Sequence, residues 1–343
     1  MQVSLLTTLD PLLRDVVTLA LSDTAAILEV EITPEGTQLD LQLPSGARES
    51  AQVELSHPCI TCSIRHAVIP FLEGRDLDRV ILALPATVES IYVAPALAEY
   101  LDSELFSKIE LGHGDALDEP FTLTSILTAV DAATNRALIH ATPLGEADLI
   151  IDDDERDAGE VLFSNLAHAD VILSLGEDQI GRAISGHINP DATIIEGLEN
   201  ISADVLFEKE HDVDAAIFRV HPVTCMAGPS RQLGQETPDA GTADGIWTVT
   251  LESPRPLDPD RLQESFDSLA LDGILIRGCF WLPGEHHEIK TWNSSGTSLT
   301  VGAAGEWDGD PMTRLVVTGS GESPEAIRRA FNDALMGGAI FRR

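Results

Sequence analysis

The chain is poor in cations. Its 343 residues hold 21 Lys+Arg against 57 Asp+Glu, a formal net charge of -36 at pH 7. A surface this acidic repels a phosphate backbone, so direct nucleic-acid binding is not expected and a basic protein partner or a cation is. Solubility alone also accounts for such charge. Cysteine is scarce too, with four in the whole chain. That excludes a disulfide framework and fits a reducing cytoplasm, the location expected here. No apolar run reaches the length of a membrane span. The opening MQVSLLTTLDPLLRDVVTLAL carries Asp10, Arg14 and Asp15 and lacks a basic leader with a cleavage site. It is not expected to be a signal peptide. No internal repeat is found.

Glycine is missing where it would matter most. The chain opens as strand, loop and helix, the arrangement of a phosphate-binding protein. A P-loop needs Gly-x-x-x-x-Gly-Lys-[Ser/Thr], so that bare amides wrap the phosphates and Lys neutralises them. The stretch in that place is TLDPLLRDV, residues 8–16, without a glycine. Pro11 has no amide hydrogen, Asp10 and Asp15 repel phosphate, and Arg14 alone stands in for the lysine.

What is present is ample apolar sequence, 43% of the chain, enough for about two domains. Over residues 1–207 short apolar runs alternate with amphipathic stretches. Strands are expected at 3–7, 25–32, 79–85, 123–131, 147–152, 170–175 and 192–197, and helices at 11–21, 63–73, 92–101, 158–168 and 177–185. Asp10 and Pro11 make a helix start. Uninterrupted strands such as VILAL predict a mostly parallel sheet with helices on both faces, an α/β fold. Residues 208–245 read as a linker, Gly- and Pro-rich at 226–245. Residues 246–343 read as a smaller α+β domain of five strands and two helices, the second starting at Ser323 and Pro324 and stopping at Gly337 and Gly338. Charge is uneven: residues 1–207 hold 36 acidic and 9 basic residues, and residues 208–343 hold 21 and 12.

The chemistry sits in HPCITCSIRH, residues 57–66. Cys59 and Cys62 have the spacing of two thiolate ligands to one tetrahedral metal, and soft sulfur suits zinc. Two more donors are then required, with His57, His66 and Glu54 nearest in sequence and His113 more distant. A helix expected to begin after Cys62 would favour its thiolate. A redox dithiol and a pair of unliganded thiols are the other two readings. The pair His286–His287, between Glu285 and Glu288, reads as a polar turn. Cys225 and Cys279 are isolated, and Cys279 reads as core.

With these residues in place, the chain resembles the CobW family of metal-associated P-loop GTPases. CITCSIRHAVIPFL is similar to the family's Cys-x-Cys-Cys motif and its helix, with Cys59 and Cys62 matching the first and last cysteines and Thr61 replacing the middle one. ILTAVDAAT resembles the strand ending in Val-Asp-Ala and places Asp131. SPRPLDPDRLQESFDSL, IRGCFWLPG, AAGEW and VVTGSGESPEAIRRAFNDALM resemble the C-terminal domain, with Asp258 where many members have His. Three nucleotide motifs depart from the family: the P-loop, the acidic residue after the second strand (Ala83 stands near its place), and the guanine-reading motif, here Ser174, Leu175, Gly176 and Glu177. The resemblance implies a P-loop GTPase-like scaffold that kept the cysteine element and lost GTP and Mg2+. It carries over no catalytic residue.

A closer resemblance is to an actinobacterial CobW-like branch, linked to zinc limitation, that recruits a ribosome hibernation factor. It implies a zinc-responsive protein with Zn2+ as cofactor and a basic ribosome-associated protein as partner, with no membrane. The alternatives are a metallochaperone that hydrolyses GTP through Arg14 and Asp131, and a metal-free acidic scaffold.

Overall fold

A computed structural model describes residues 1–57, 59–73, 75–98, 121–140, 156–225, 245–269, 273–296, 298–320 and 324–337. The expected strand at 147–152, nearly all of 226–245, His113, Ser323 and Gly338 lie outside the described residues. Among the described residues, no helix is long and apolar enough to cross a membrane. The chain forms two compact units: Met1–Asp131 with Ser164–Gly176 and Asp191–Ile217, and Ala132–Phe163 with Glu177–Pro190 and Phe218–Arg343.

The strands are β1 (Gln2–Thr7), β2 (Ala26–Thr33), β3 (Gly36–Gln42), β4 (Arg48–Glu54), β5 (Arg79–Ala83), β6 (Thr122–Asp131), β7 (Val171–Leu175), β8 (Thr193–Glu196), β9 (Ile246–Ser253), β10 (Ile274–Phe280), β11 (Glu288–Ser295), β12 (Ser298–Glu306) and β13 (Thr313–Ser320). The helices used below are α1 (Pro11–Leu21), α2 (residues 60–72), α3 (Ala132–Ala137), α4 (Ala158–His168), α5 (Gln179–Ile188), α6 (Ala203–Phe207), α7 (Val213–Val220), α8 (Pro259–Leu269) and α9 (Pro324–Ala334).

The first unit holds an eight-stranded sheet in the order β4-β3-β2-β5-β1-β6-β7-β8. Strands β2, β5, β1, β6, β7 and β8 run parallel, while β3 and β4 add antiparallel. Period-two alternation splits each central strand between two cores. Val3, Leu5, Leu28, Val30, Val80 and Leu82 face one core with the α2 residues Ile64, Val68, Ile69 and Leu72. Leu6, Ile27, Ile81 and Ala83 face the other with Leu13, Val17 and Leu21 of α1 and Leu206 and Phe207 of α6. A strand buried on both faces has no room for polar alternation, which is why VILA reads as an unbroken apolar run, and the one polar residue of VSLL, Ser4, is buried with its hydroxyl against that of Ser125.

The structure adds two strands that were not among those expected: residues 33–58 contain β3 and β4. The signal was present: Thr37, Leu39 and Leu41 are buried in strict alternation, and Leu39 and Leu41 join the core under α2. Opposite them on the edge strand β4, Val53 and Ala51 are only half-buried against that core and Glu49 is exposed, and the polar residues between them hid the pairing.

The second unit is built on a five-stranded antiparallel sheet, β12-β11-β10-β13-β9. Helices α8 and α9 cover one face through Leu269, Ile327, Ala330, Phe331 and Leu335. Asp258 caps α8, its Oδ1 accepting from the amides of Asp260 (3.1 Å) and Arg261 (3.3 Å). In the same unit α3 and α5 meet at Gly181, where an added Cβ would lie 1.7 Å from the Ala132 carbonyl oxygen. The buried Asn135 Nδ2 donates to the Ser185 hydroxyl there at 2.9 Å.

Candidate metal centre

The cysteines stand where β4 ends and α2 begins. Cys59 is extended (φ -112°, ψ 158°) and is the N-cap of the helix: its Sγ accepts from the Cys62 amide at 3.3 Å. The helix therefore starts at Ile60, not after Cys62 as the sequence suggested. Its dipole and its free amides face Cys59 and not Cys62. The consequence is an asymmetric pair. The Cys62 thiol and amide, both donating to Cys59, hold the Cys59 thiol below its ordinary pKa, and the same thiol–thiol hydrogen bond raises that of Cys62. Cys59 is exposed and Cys62 half-buried, and both are free of disulfides.

Helix α2 is firmly seated. Ser63 is fully buried and accepts a hydrogen bond from the Thr37 hydroxyl of β3 at 2.7 Å. Ile64, Val68, Ile69 and Leu72 bury fully or nearly so. At the far end Arg75 pairs with Glu49 of β4 and lies over the Phe71 ring, 3.6 Å from its centroid. The middle of the helix, Ile64–Val68, is a π turn. Pro70 explains it. Proline offers no amide to the His66 carbonyl four residues back, and its ring crowds that carbonyl, so the helix widens to relieve the clash.

The other expected ligands flank the thiols in sequence and are not gathered on them. Glu54 ends β4, His57 is in the turn after it and accepts the Cys59 amide on its carbonyl (2.8 Å), and His66 lies in the π turn. All three are exposed. Among the described residues, no group of three or more His, Cys, Asp and Glu is gathered as a metal cage. The structure brings together two sulfurs, and Glu54, His57 and His66 stand on flanking, solvent-open backbone. Two thiols are half of a tetrahedral zinc set, and the other half is not assembled among the described residues.

At the start of α1 the free amides are taken by a side chain. Asp10 Oδ1 accepts from the amides of Leu12 (2.8 Å) and Leu13 (3.3 Å), the hydrogens that a P-loop offers to its ligand. Arg14 is turned away, its Nη2 ion-paired to Glu31 at 2.5 Å and its Nη1 donating to the Leu84 carbonyl at 3.4 Å. Ser174 is buried at the end of β7, and Gly176 turns the chain at φ 82°. Asp178, rather than a base-reading side chain, caps α5 by accepting from the Gly181 amide at 2.9 Å. Asp131 ends β6.

Elsewhere the polar residues are structural. The His286–His287 turn is exposed, and Lys290 occupies both neighbouring carboxylates, Glu285 and Glu288, at 2.8 Å each. Cys279 is core, as expected, and so is Cys225. Sequence reasoning missed a buried cluster in the first unit. His211 Nδ1 contacts Asp170 Oδ2 at 2.6 Å, His168 Nδ1 contacts the Ser90 hydroxyl at 2.9 Å, and the two imidazoles meet edge to face with centroids 5.4 Å apart. No local motif marks these four residues, and only the fold assembles them.

No curated protein matches the chain. Among solved structures it is similar to the zinc-bound YjiA GTPase of E. coli and to a zinc-bound triple mutant of YjiA. Each is 15% identical at a TM-score of 0.38, over 97% of this chain and 98% of the other. A TM-score this low establishes no common fold by itself. One family matches part of the sequence: residues 246–335, from the first residue of β9 to the end of α9, match the cobalamin synthesis protein cobW C-terminal domain.

Proposed function

We propose that this is a CobW-like, zinc-binding protein of metal homeostasis that works by binding and not by GTP hydrolysis. Cys59 and Cys62 are its thiolate ligands, and His57, His66 and Glu54 are the donors available to complete the site. The observation that carries the reading is the helix start at Cys59, where two free sulfurs share one hydrogen-bonded turn and one thiol is already biased toward thiolate. The match of residues 246–335 to the CobW C-terminal domain supports placing that pair in a metal-handling protein. Bound zinc would supply a fixed positive centre that orders the exposed turn before α2.

Against GTP stands the start of α1. An Asp carboxylate already accepts the amides a phosphate needs, and Arg14 is committed to Glu31. Fluorescent GTP titrated with magnesium is expected to show no saturable binding at high micromolar nucleotide. Saturable binding abolished by Arg14→Ala would replace this reading with the metallochaperone.

The finer reading joins charge to the resemblance. An acidic chain favours a basic partner, and the likeness to the zinc-limitation branch of CobW-like proteins, not the charge, suggests that this partner is a ribosome-associated protein recruited under zinc limitation in a cytoplasmic setting. That association is expected to weaken steeply with added salt. The deciding experiment is metal content by mass spectrometry on reduced, untagged protein, with Cys59→Ser/Cys62→Ser alongside. Near-stoichiometric zinc lost in the double variant is the expected result. No zinc in either protein after reconstitution would overturn the proposal.

A further inference from the structure

Each sheet has two edges, and three of the four are guarded. β4 carries Arg48, Glu49 and Glu54. β8 is only four residues long. β9 is buried over most of its length. The fourth, β12, is protected only at its end, by Glu306 and a bulge, and not along its first six residues. Its first six residues, 298–303, are SLTVGA, without a charge or a proline. They pair regularly with β11, from Ser298 opposite Ser295 to Ala303 opposite Lys290. The register then shifts before Glu306, and Gly305 takes φ 95°, so the open edge ends in a bulge.

The two faces of this run differ. Thr300 and Gly302 share one face, where the Thr300 hydroxyl donates to Glu160 at 3.2 Å. Leu299, Val301 and Ala303 share the other. Leu299 packs partly on the core shared with α8 and α9, yet Val301, two residues on, is 52% exposed. The apolar face stops there, since among the described residues no strand pairs with the outer edge of β12.

We propose that a second copy of this chain covers that edge, with β12 pairing antiparallel to β12 of the copy about a two-fold axis through Val301. Such an axis stands perpendicular to the sheet, so every pair sums to the same register. Val301 opposes its own counterpart, Leu299 opposes Ala303, and Thr300 opposes Gly302. All apolar pairs then fall on the face already carrying Leu299, and no charge opposes a charge in the run. The unpaired N–H and C=O groups of both edges are satisfied together. A cationic peptide is a poorer occupant, since residues 298–303 present no carboxylate to hold it. The assignment is independent of the cysteine pair.

Because each copy carries -36, the dimer forms against long-range repulsion, and salt strengthens it. Sedimentation equilibrium of the full chain tests this at about 0.1 M and about 1 M NaCl, where the Debye length falls from about 10 to about 3 Å. The expected result is a monomer–dimer equilibrium that tightens at high salt. Val301→Lys should weaken it at least tenfold, and circular dichroism and melting should be unchanged because the site is exposed. Cys59→Ser/Cys62→Ser should dimerise as the parent does. A monomer at every concentration and both salts would overturn the proposal. So would a dimer indifferent to Val301→Lys, or one that needs the two cysteines.

Discussion

The four cysteines differ in reactivity for reasons that are local to each. Cys59 is exposed and its thiol is held below the ordinary range by the donors of Cys62, while the Cys62 thiol is pushed up. Cys225 and Cys279 are buried, and burial raises Cys279 to about 11. In a time course with iodoacetamide near neutral pH, peptide mass spectrometry should show Cys59 modified first, Cys62 next, and the two buried thiols last. Modification of Cys62 ahead of Cys59 would contradict the capping geometry. The same asymmetry sets the pH dependence of metal binding. A lowered pKa leaves Cys59 available as thiolate at lower pH than an ordinary cysteine, so the proton released on zinc binding comes mainly from Cys62. Zinc affinity, measured against a competing chelator, should therefore rise with pH up to the raised range of Cys62 and fall on acidification. At the start of α1, Asp10→Ala removes the acceptor of two amides and should cost about 1 kcal/mol in urea denaturation.

At the scale of elements, the cysteine turn depends on a strand that is remote in character from any metal site. β3 supplies Leu39 and Leu41 beneath α2, and the Thr37 hydroxyl that reaches Ser63. Leu39→Ala should cost about 2–5 kcal/mol through the cavity it leaves. Thr37→Val leaves the buried Ser63 hydroxyl without its donor, at about 1–3 kcal/mol. It should also lower zinc affinity, since it loosens the first turn of α2 without touching a ligand. Unchanged affinity in a destabilised Thr37→Val protein would separate the turn from the strand. In the second unit the contact of α3 with α5 admits nothing larger than glycine. Gly181→Ala places a methyl against the Ala132 carbonyl, and about 1–3 kcal/mol of overpacking should appear as a lowered melting temperature.

For the whole molecule the governing quantity is charge. Self-repulsion at -36 destabilises the compact state, so the melting temperature should climb as NaCl is raised, most steeply at low ionic strength. Replacing a few exposed carboxylates by their amides should flatten that slope. A melting temperature flat in salt would mean that the charges are already compensated locally, as Arg79–Asp204, Arg314–Glu252 and Lys290 with its two carboxylates are.

The sequence by itself determined the described parallel strands, the helices α1 and α9, with the Asp10 cap of α1, and the position of the thiol pair. Each is written in a local pattern: a four-to-six-residue apolar run, Asp-Pro or Ser-Pro before an amphipathic stretch, or a two-residue gap between cysteines. It also shows that the first loop has no glycine and contains a proline. Tertiary structure decided what depends on partners distant in the chain. It paired β3 with β4, where the edge strand alternates only weakly. It moved the helix start to Cys59 and with it the more acidic thiol. It turned Arg14 onto Glu31, and it assembled the His168–His211 pair from four unmarked residues. It also left β12 open, because whether a strand is an edge depends on what lies beside it, and no stretch of sequence encodes its own neighbour.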